Sequence, residues 1–217
     1  MNKKTAAQIV DVLFNEYPEP KCALHFQDPL QLLVASRLSA QCTDARVNIV
    51  TEKLFERYQT AADFASADPE ELGKMIFSCG LYRTKARDII AAAKKLETLE
   101  EFPHTMESLL ELPGVGRKIA NLLLGELFGE KNVVIADTHC IRLSNRLGLV
   151  DSKNPHIVEK TLLKTLPENT GFRFSHSLVT HGRKVCRAQS PDCEVCCVNR
   201  FCSEYRKRVK KSVKGKA

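Results

Sequence analysis

Apolar residues recur at helical spacing along almost the whole of this 217-residue chain, and that periodicity constrains its fold class more than any other feature. Ala6, Ile9, Val10, Leu13 and Tyr17 fall on one helical face. Val47, Val50, Leu54, Phe55 and Tyr58 make a second stripe, and Ile89, Ile90, Ala93 and Leu96 a third. Start signals frame them. Asp28-Pro29-Leu30-Gln31 reads as an N-cap, a proline at the first helical position and a capping-box partner. Asp68-Pro69-Glu70-Glu71 repeats that logic, and Gly80 is expected to close the helix it opens. Further helices are predicted over 105–112, 117–128, 138–147, 156–166 and 172–184. Only Val133-Val134-Ile135 looks strand-like; with no partner run, it reads as a buried extended connector. The fold class is therefore all-α.

The chain is long enough for one large domain or two small ones. No apolar run approaches the ~20 residues that span a bilayer, and the start, Met1-Asn2-Lys3-Lys4-Thr5, leads into an amphipathic stretch. The expectation is a cytoplasmic protein with no membrane partner. The formal charge is +7, yet Ser203–Ala217 alone holds seven Lys/Arg against one Glu, leaving about +1 for the body. The last ten residues read as a frayed, solvated terminus, with a nucleic-acid contact as the alternative.

Nine cysteines are present, and five crowd between 186 and 202. In a reducing compartment such a group points to metal rather than disulfides. Cys186, Cys193, Cys196 and Cys202 are spaced to wrap one compact centre; by spacing alone this is iron–sulfur or zinc. Cys197, adjacent to Cys196, reads as a packed or surface thiol. Arg183, Lys184, Arg187 and Arg200 flank the group, which suits a loop presented to phosphate better than an electron carrier.

Leu112-Pro113-Gly114-Val115-Gly116-Arg117-Lys118 separates two helices. Pro113 stops the first. Gly114 and Gly116 are expected to allow positive φ and close approach of a foreign backbone. The second helix then offers its free N–H groups to a phosphate without reading a base. Lys118 falls in its first turn, where the dipole disfavours positive charge; an amine so placed is a candidate nucleophile at C1′ of a deoxynucleotide. Asp137 follows the apolar connector and opens a helix as N-cap. A carboxylate there can also stabilise positive charge on a sugar or handle a proton.

Leu38-Ser39-Ala40-Gln41-Cys42-Thr43-Asp44, Gly80-Leu81-Tyr82, the 112–118 hairpin, Ala136-Asp137-Thr138-His139 and the cysteine spacing occur in that order over nearly the whole chain. Together they resemble the endonuclease III family of DNA glycosylases. The resemblance, and not the spacing, moves the cysteine group to a [4Fe–4S] cluster. It implies two helical domains with a DNA groove between them. One is a six-helix barrel at 22–132 containing the helix–hairpin–helix at 108–128. The other is discontinuous, 1–21 plus 133–217, with the cluster loop at 186–202. It implies a bifunctional glycosylase and abasic-site lyase, monomeric and nucleoid-associated, that excises oxidised pyrimidines such as thymine glycol from duplex DNA. Lys118 and Asp137 would be catalytic. Gln41 would fill the space left by the everted base, and Leu81 would wedge beside it. Leu112, Pro113, Gly114, Val115 and Gly116 would meet the backbone. Thr43, Asp44, Lys85, His139 and Arg187 are further candidates for DNA contact. Cys42 stands where alanine is common in the family.

Two other readings compete. A monofunctional relative, such as the adenine-mismatch glycosylase, shares the aspartate and the cluster but lacks the hairpin lysine and carries an additional C-terminal domain. A non-enzymatic helical DNA-binding protein with a structural metal would leave Lys118 and Asp137 idle.

Overall fold

A computed structural model describes residues 2–214, with side chains to Val209. Among the described residues the secondary structure is entirely helical. The chain divides into two compact units, Cys22–Gly129 and a discontinuous one formed by Met1–Lys21 with Glu130–Ala217.

The continuous unit holds α2 (Pro29–Leu38), α3 (Asp44–Arg57), α4 (Ala61–Ala65), α5 (Pro69–Met75), α6 (Tyr82–Leu96), α7 (Met106–Leu110) and α8 (Arg117–Phe128). Asp28 caps α2 by accepting from the Gln31 amide at 2.8 Å. Gln31 reaches back to the amide of Gln27 rather than that of Asp28, one residue short of a full capping box. Asp68 caps α5 through the amides of Glu70 and Glu71. That helix ends at Met75, before Gly80; a 3-10 turn at Phe77–Cys79 fills the interval. Helix α6 is the centre of the unit, packed on α2, α4 and α5, while α8 packs on α2 and α7. The short α4 has no apolar stripe to announce it; its signal is the reciprocal cap of Thr60 and Asp63.

The discontinuous unit holds α1 (Lys3–Glu16), α9 (Thr138–Leu147), α10 (Pro155–Thr165), α11 (Gly171–Lys184) and α12 (Ser203–Lys214). Its core joins the predicted face of α1 to Val134, Leu143, Leu162 and Phe174. Residues 133–136 are buried and belong to no helix. They pack so closely on α11 that a Cβ at Gly171 would lie 2.6 Å from the Val133 carbonyl oxygen. The tail departs from expectation: helix continues to Lys214, where fraying was expected from residue 208. Glu204 in its first turn and the Glu204–Arg208 pair at 3.0 Å favour that helix. Residues 215–217 and the side chains beyond Val209 lie outside the described part. No helix is long and apolar enough to cross a membrane among the described residues.

Candidate functional site

The hairpin turns at Leu112–Val115, where the Val115 amide donates to the Leu112 carbonyl at 3.1 Å. Leu112 and Val115 are buried anchors, and Pro113, Gly114 and Gly116 are exposed. Gly114 has φ +76°, and a Cβ there would lie 2.8 Å from both Arg37 Nε and Asp88 Cβ. The left-handed turn therefore rests directly on the Arg37–Asp88 ion pair, which closes at 2.6 Å. Gly116 corrects the expectation of a second positive φ. Its φ of −102° and ψ of 175° are open to any residue, and a Cβ there would meet nothing. It is the N-cap of α8 and brings no capping side chain, leaving that helix end to an external acceptor. Lys118, half-buried in the first turn, has its Nζ 3.5 Å from Ser39 Oγ.

Ser39 follows the last residue of α2, and the chain beyond it carries Gln41. Gln41 is exposed at φ +56°, and Thr43 caps α3 through the Arg46 amide. Asp44 is half-buried at the first position of α3. Leu81 precedes α6, is 54% exposed and sits at φ +49°. Exposure is the requirement for a wedge, and this leucine meets it. Lys85, a candidate for pocket or backbone contact with DNA, is turned inward instead. It is wholly buried, and its ammonium donates to the carbonyls of Leu38, Ala40 and Cys79 at 2.7, 2.7 and 2.8 Å.

In the discontinuous unit Asp137 caps α9, accepting from the Cys140 amide at 2.7 Å, and its side chain is half-buried. His139 is half-buried too. Its Nδ1 lies 3.2 Å from Arg142 Nη2, and it packs against Gly182 of α11 so tightly that a Cβ at Gly182 would stand 2.5 Å from that nitrogen. The ring therefore braces α9 on α11.

Cys186, Cys193, Cys196 and Cys202 line one cavity, and Cys197 is not among its walls. Among the described residues no three His, Cys, Asp or Glu side chains group closely enough to hold a single metal ion. Sequence reasoning missed the groups that brace the cysteine loop. Arg146 donates to Cys186 Sγ at 3.2 Å and to the carbonyls of Arg187 and Ala188 at 2.8 and 2.6 Å. Arg142 donates to the Cys186 carbonyl at 3.2 Å. His181 Nε2 lies 3.3 Å from Cys196 Sγ, with Tyr17 Oη 2.9 Å from its other ring nitrogen. The spacing Arg142–Arg146 on one face of α9 was the available signal. Burial pushes the Cys196 thiol up to about 12 and the neutral form of His181 is favoured by burial, its pKa falling to about 4. Thiolates at this loop thus need a bound cation or donated hydrogen bonds, and the donor set supplies the latter. Arg187 is exposed, and its Nε donates to the Ser190 carbonyl of its own loop at 3.3 Å.

Comparison with known proteins accords with this arrangement. Residues 34–168 match the family model of the HhH-GPD superfamily base excision DNA repair proteins. The chain is 45% identical to endonuclease III of Synechocystis sp. over 92% of each protein. It is 39% identical to endonuclease III of Bacillus subtilis over 98% of each. A solved structure of a trapped endonuclease III–DNA covalent intermediate superposes with a TM-score of 0.91 at 40% identity, covering 96% of this chain and 99% of that one. This chain belongs to the endonuclease III family, within the HhH-GPD superfamily of base excision DNA repair proteins.

Proposed function

We propose that this base excision repair DNA glycosylase and abasic-site lyase acts through Lys118 and Asp137 on oxidised pyrimidines, thymine glycol among them, in duplex DNA. The observation that carries the reading is Lys118 itself. The half-buried Lys118 puts a primary amine in the first turn of a helix whose N-terminus, behind the hairpin, offers N–H groups without a side-chain cap to phosphate. The monofunctional alternative has no use for an amine at that position.

The target base must leave the stack before C1′ is accessible. Leu81 and Gln41, exposed on their turns, support insertion as wedge and filler. Lys118 Nζ attacks C1′, the C1′–N bond breaks, and the base departs with the bonding electrons and takes up a proton. The sugar ring opens to a Schiff base on Lys118. Loss of a C2′ proton then breaks the C3′–O bond, cutting the strand 3′ to the site, and water frees the lysine. Asp137, held by the α9 amide of Cys140, assists base departure and proton transfer. The hairpin residues 112–116, Thr43, Asp44 and Arg187 would fix the DNA backbone, and His139 would act indirectly through α9. Such an enzyme works on cytoplasmic, nucleoid DNA.

The residues around the cysteine cavity fit a [4Fe–4S] cluster. Cys186, Cys193, Cys196 and Cys202 would hold it, with Arg146 and His181 donating to two of the sulfurs. The cluster would supply folding of the 186–202 loop and no catalytic step.

The test is borohydride trapping on a duplex bearing thymine glycol or an abasic site. Intact protein should form a covalent adduct, Lys118→Ala none, and Asp137→Asn should release base far more slowly. An undiminished adduct in Lys118→Ala removes that residue from its role, and base release without adduct favours the monofunctional reading. Zinc in a metal assay, with no broad absorbance near ~400 nm, would sink the cluster.

A further inference from the structure

Gln41 and Leu81 share a feature that their sequences do not announce. Within Cys22–Gly129 they are the two non-glycine residues with positive φ, at 56° and 49° among the described residues. Side-chain-bearing residues persist in that conformation only where the surroundings over-determine it. Their own side chains are exposed, so the constraint comes from the backbone on either side. No side-chain cap holds the start of α6 at Leu81.

What holds both turns is one buried cation. Lys85 lies on the core-facing side of α6 with no solvent exposure, and its Nζ sits 2.7 Å from the Leu38 carbonyl, 2.7 Å from that of Ala40 and 2.8 Å from that of Cys79. An ammonium has three N–H donors, and three acceptors are present. Ala40 immediately precedes Gln41, and Cys79 stands two residues before Leu81. Leu38 is the last residue of α2, whose terminal carbonyls have no N–H donor within the helix. Burial lowers the Lys85 pKa from its ordinary value and pushes the neighbouring Cys79 thiol up to about 11, so the three carbonyls, and not a thiolate, are what hold the amine in place. Removing the amine would leave three carbonyls, two of them buried bonds, to be satisfied by movement of the turns.

We infer that Lys85 is a positioning residue for base eversion: its ammonium clamps the turn bearing Gln41 to the turn bearing Leu81 and presents both side chains to the duplex as one preformed unit. The inference rests on the inserting roles given to Gln41 and Leu81 above. Preorganisation of this kind acts on the eversion step, because the cost of ordering two loops is met at folding instead of at binding.

The test uses a duplex with 2-aminopurine beside thymine glycol, whose fluorescence rises when the stack opens. Lys85→Met keeps the stem and removes the donors. It should slow the fluorescence rise by on the order of tenfold to a hundredfold, with circular dichroism showing a folded protein at the assay temperature. The paired variant Gln41→Ala/Leu81→Ala should slow the rise at least as much as Lys85→Met without abolishing it, and in its background Lys85→Met should cost no more, because both changes act on one step. If Lys85→Met matches the unaltered protein while the paired variant is slowed, the clamp is wrong and the inserting roles stand. If the paired variant retains the full rise, the inserting roles fall and the clamp with them. Should Lys85→Met not fold, Lys85→Gln, uncharged with two N–H donors, carries the same measurement. Failure of both to fold, or losses that simply add, would make Lys85 a general core residue and overturn the inference.

Discussion

Replacing Gly114 and Gly116 in turn by alanine separates what the hairpin does inside the protein from what it offers outside. An alanine at φ +76° meets the left-handed penalty, and its Cβ would stand 2.8 Å from Asp88 Cβ and Arg37 Nε. Asp88 Cβ is no flexible chain end, so the Arg37–Asp88 pair must shift. Both side chains of that pair are mostly buried, at 16% and 17% exposure, and two guanidinium hydrogen bonds of 3.1 and 2.6 Å converge on one carboxylate oxygen. The backbone penalty is about 1–2 kcal/mol and loosening a charge-assisted bond costs about 1–3, against roughly 0.4–1 recovered from the stiffer unfolded chain. Gly114→Ala should therefore lose about 2–4 kcal/mol in equilibrium denaturation. Gly116→Ala has an ordinary φ and an empty surround. Its weaker N-cap and its stiffer unfolded chain offset, and stability should hold within about 0.5 kcal/mol. Its new methyl occupies the space through which a phosphate would approach α8. Affinity for an abasic duplex, read by fluorescence anisotropy at fixed salt, should fall about tenfold, or about 1.4 kcal/mol. Equal stability losses in the two variants, or unchanged affinity in Gly116→Ala, would refute the division of labour between the glycines.

Two further predictions concern the bracing residues and pH. Arg146→Met removes donors from Cys186 Sγ and from the Arg187 and Ala188 carbonyls. On the proposed cluster reading, purified variant protein carries less iron per chain than the unaltered protein and bleaches faster under air, measured by iron assay and visible absorbance; unchanged iron content and bleaching would refute the bracing role. Burial is the main cause that pushes the Cys22 thiol up to about 11. A raised folded-state pKa contributes stability present below the unfolded value and lost as pH rises through the folded one. The intact protein should lose up to about 2 kcal/mol more than Cys22→Ala between pH 9 and pH 11 in urea titrations; parallel curves would show that the thiol does not titrate with folding.

The helical periodicity carried the fold, because a stripe of apolar residues at 3.6 spacing has few places to go but a core. Residues 117–128 and 138–147 agree with their predicted spans to the residue. The same logic fails for short elements: α4 is five residues, too few for a period, and only its cap marks it. Placement was legible where a residue type and a turn coincide, as at Lys118 in the first turn of α8 and Asp137 at the N-cap of α9. It was not legible where function depends on which way a charge faces. Nothing in the sequence says which way Arg142 and Arg146 face, and both point their donors at the cysteine loop. Gly116 read as a conformational necessity, and the backbone shows that its lack of a side chain matters only for what comes from outside. Lys85 is the sharpest case. A lysine near a wedge loop suggests a phosphate contact, but four residues on lies Ile89, which is buried, and Lys85 shares its helical face. That placement puts the amine inside α6's packing face, where a charge persists only with acceptors around it. Spacing relative to the apolar stripe, rather than charge, is the signal that separates a lysine meant for DNA from one meant for the protein's own carbonyls.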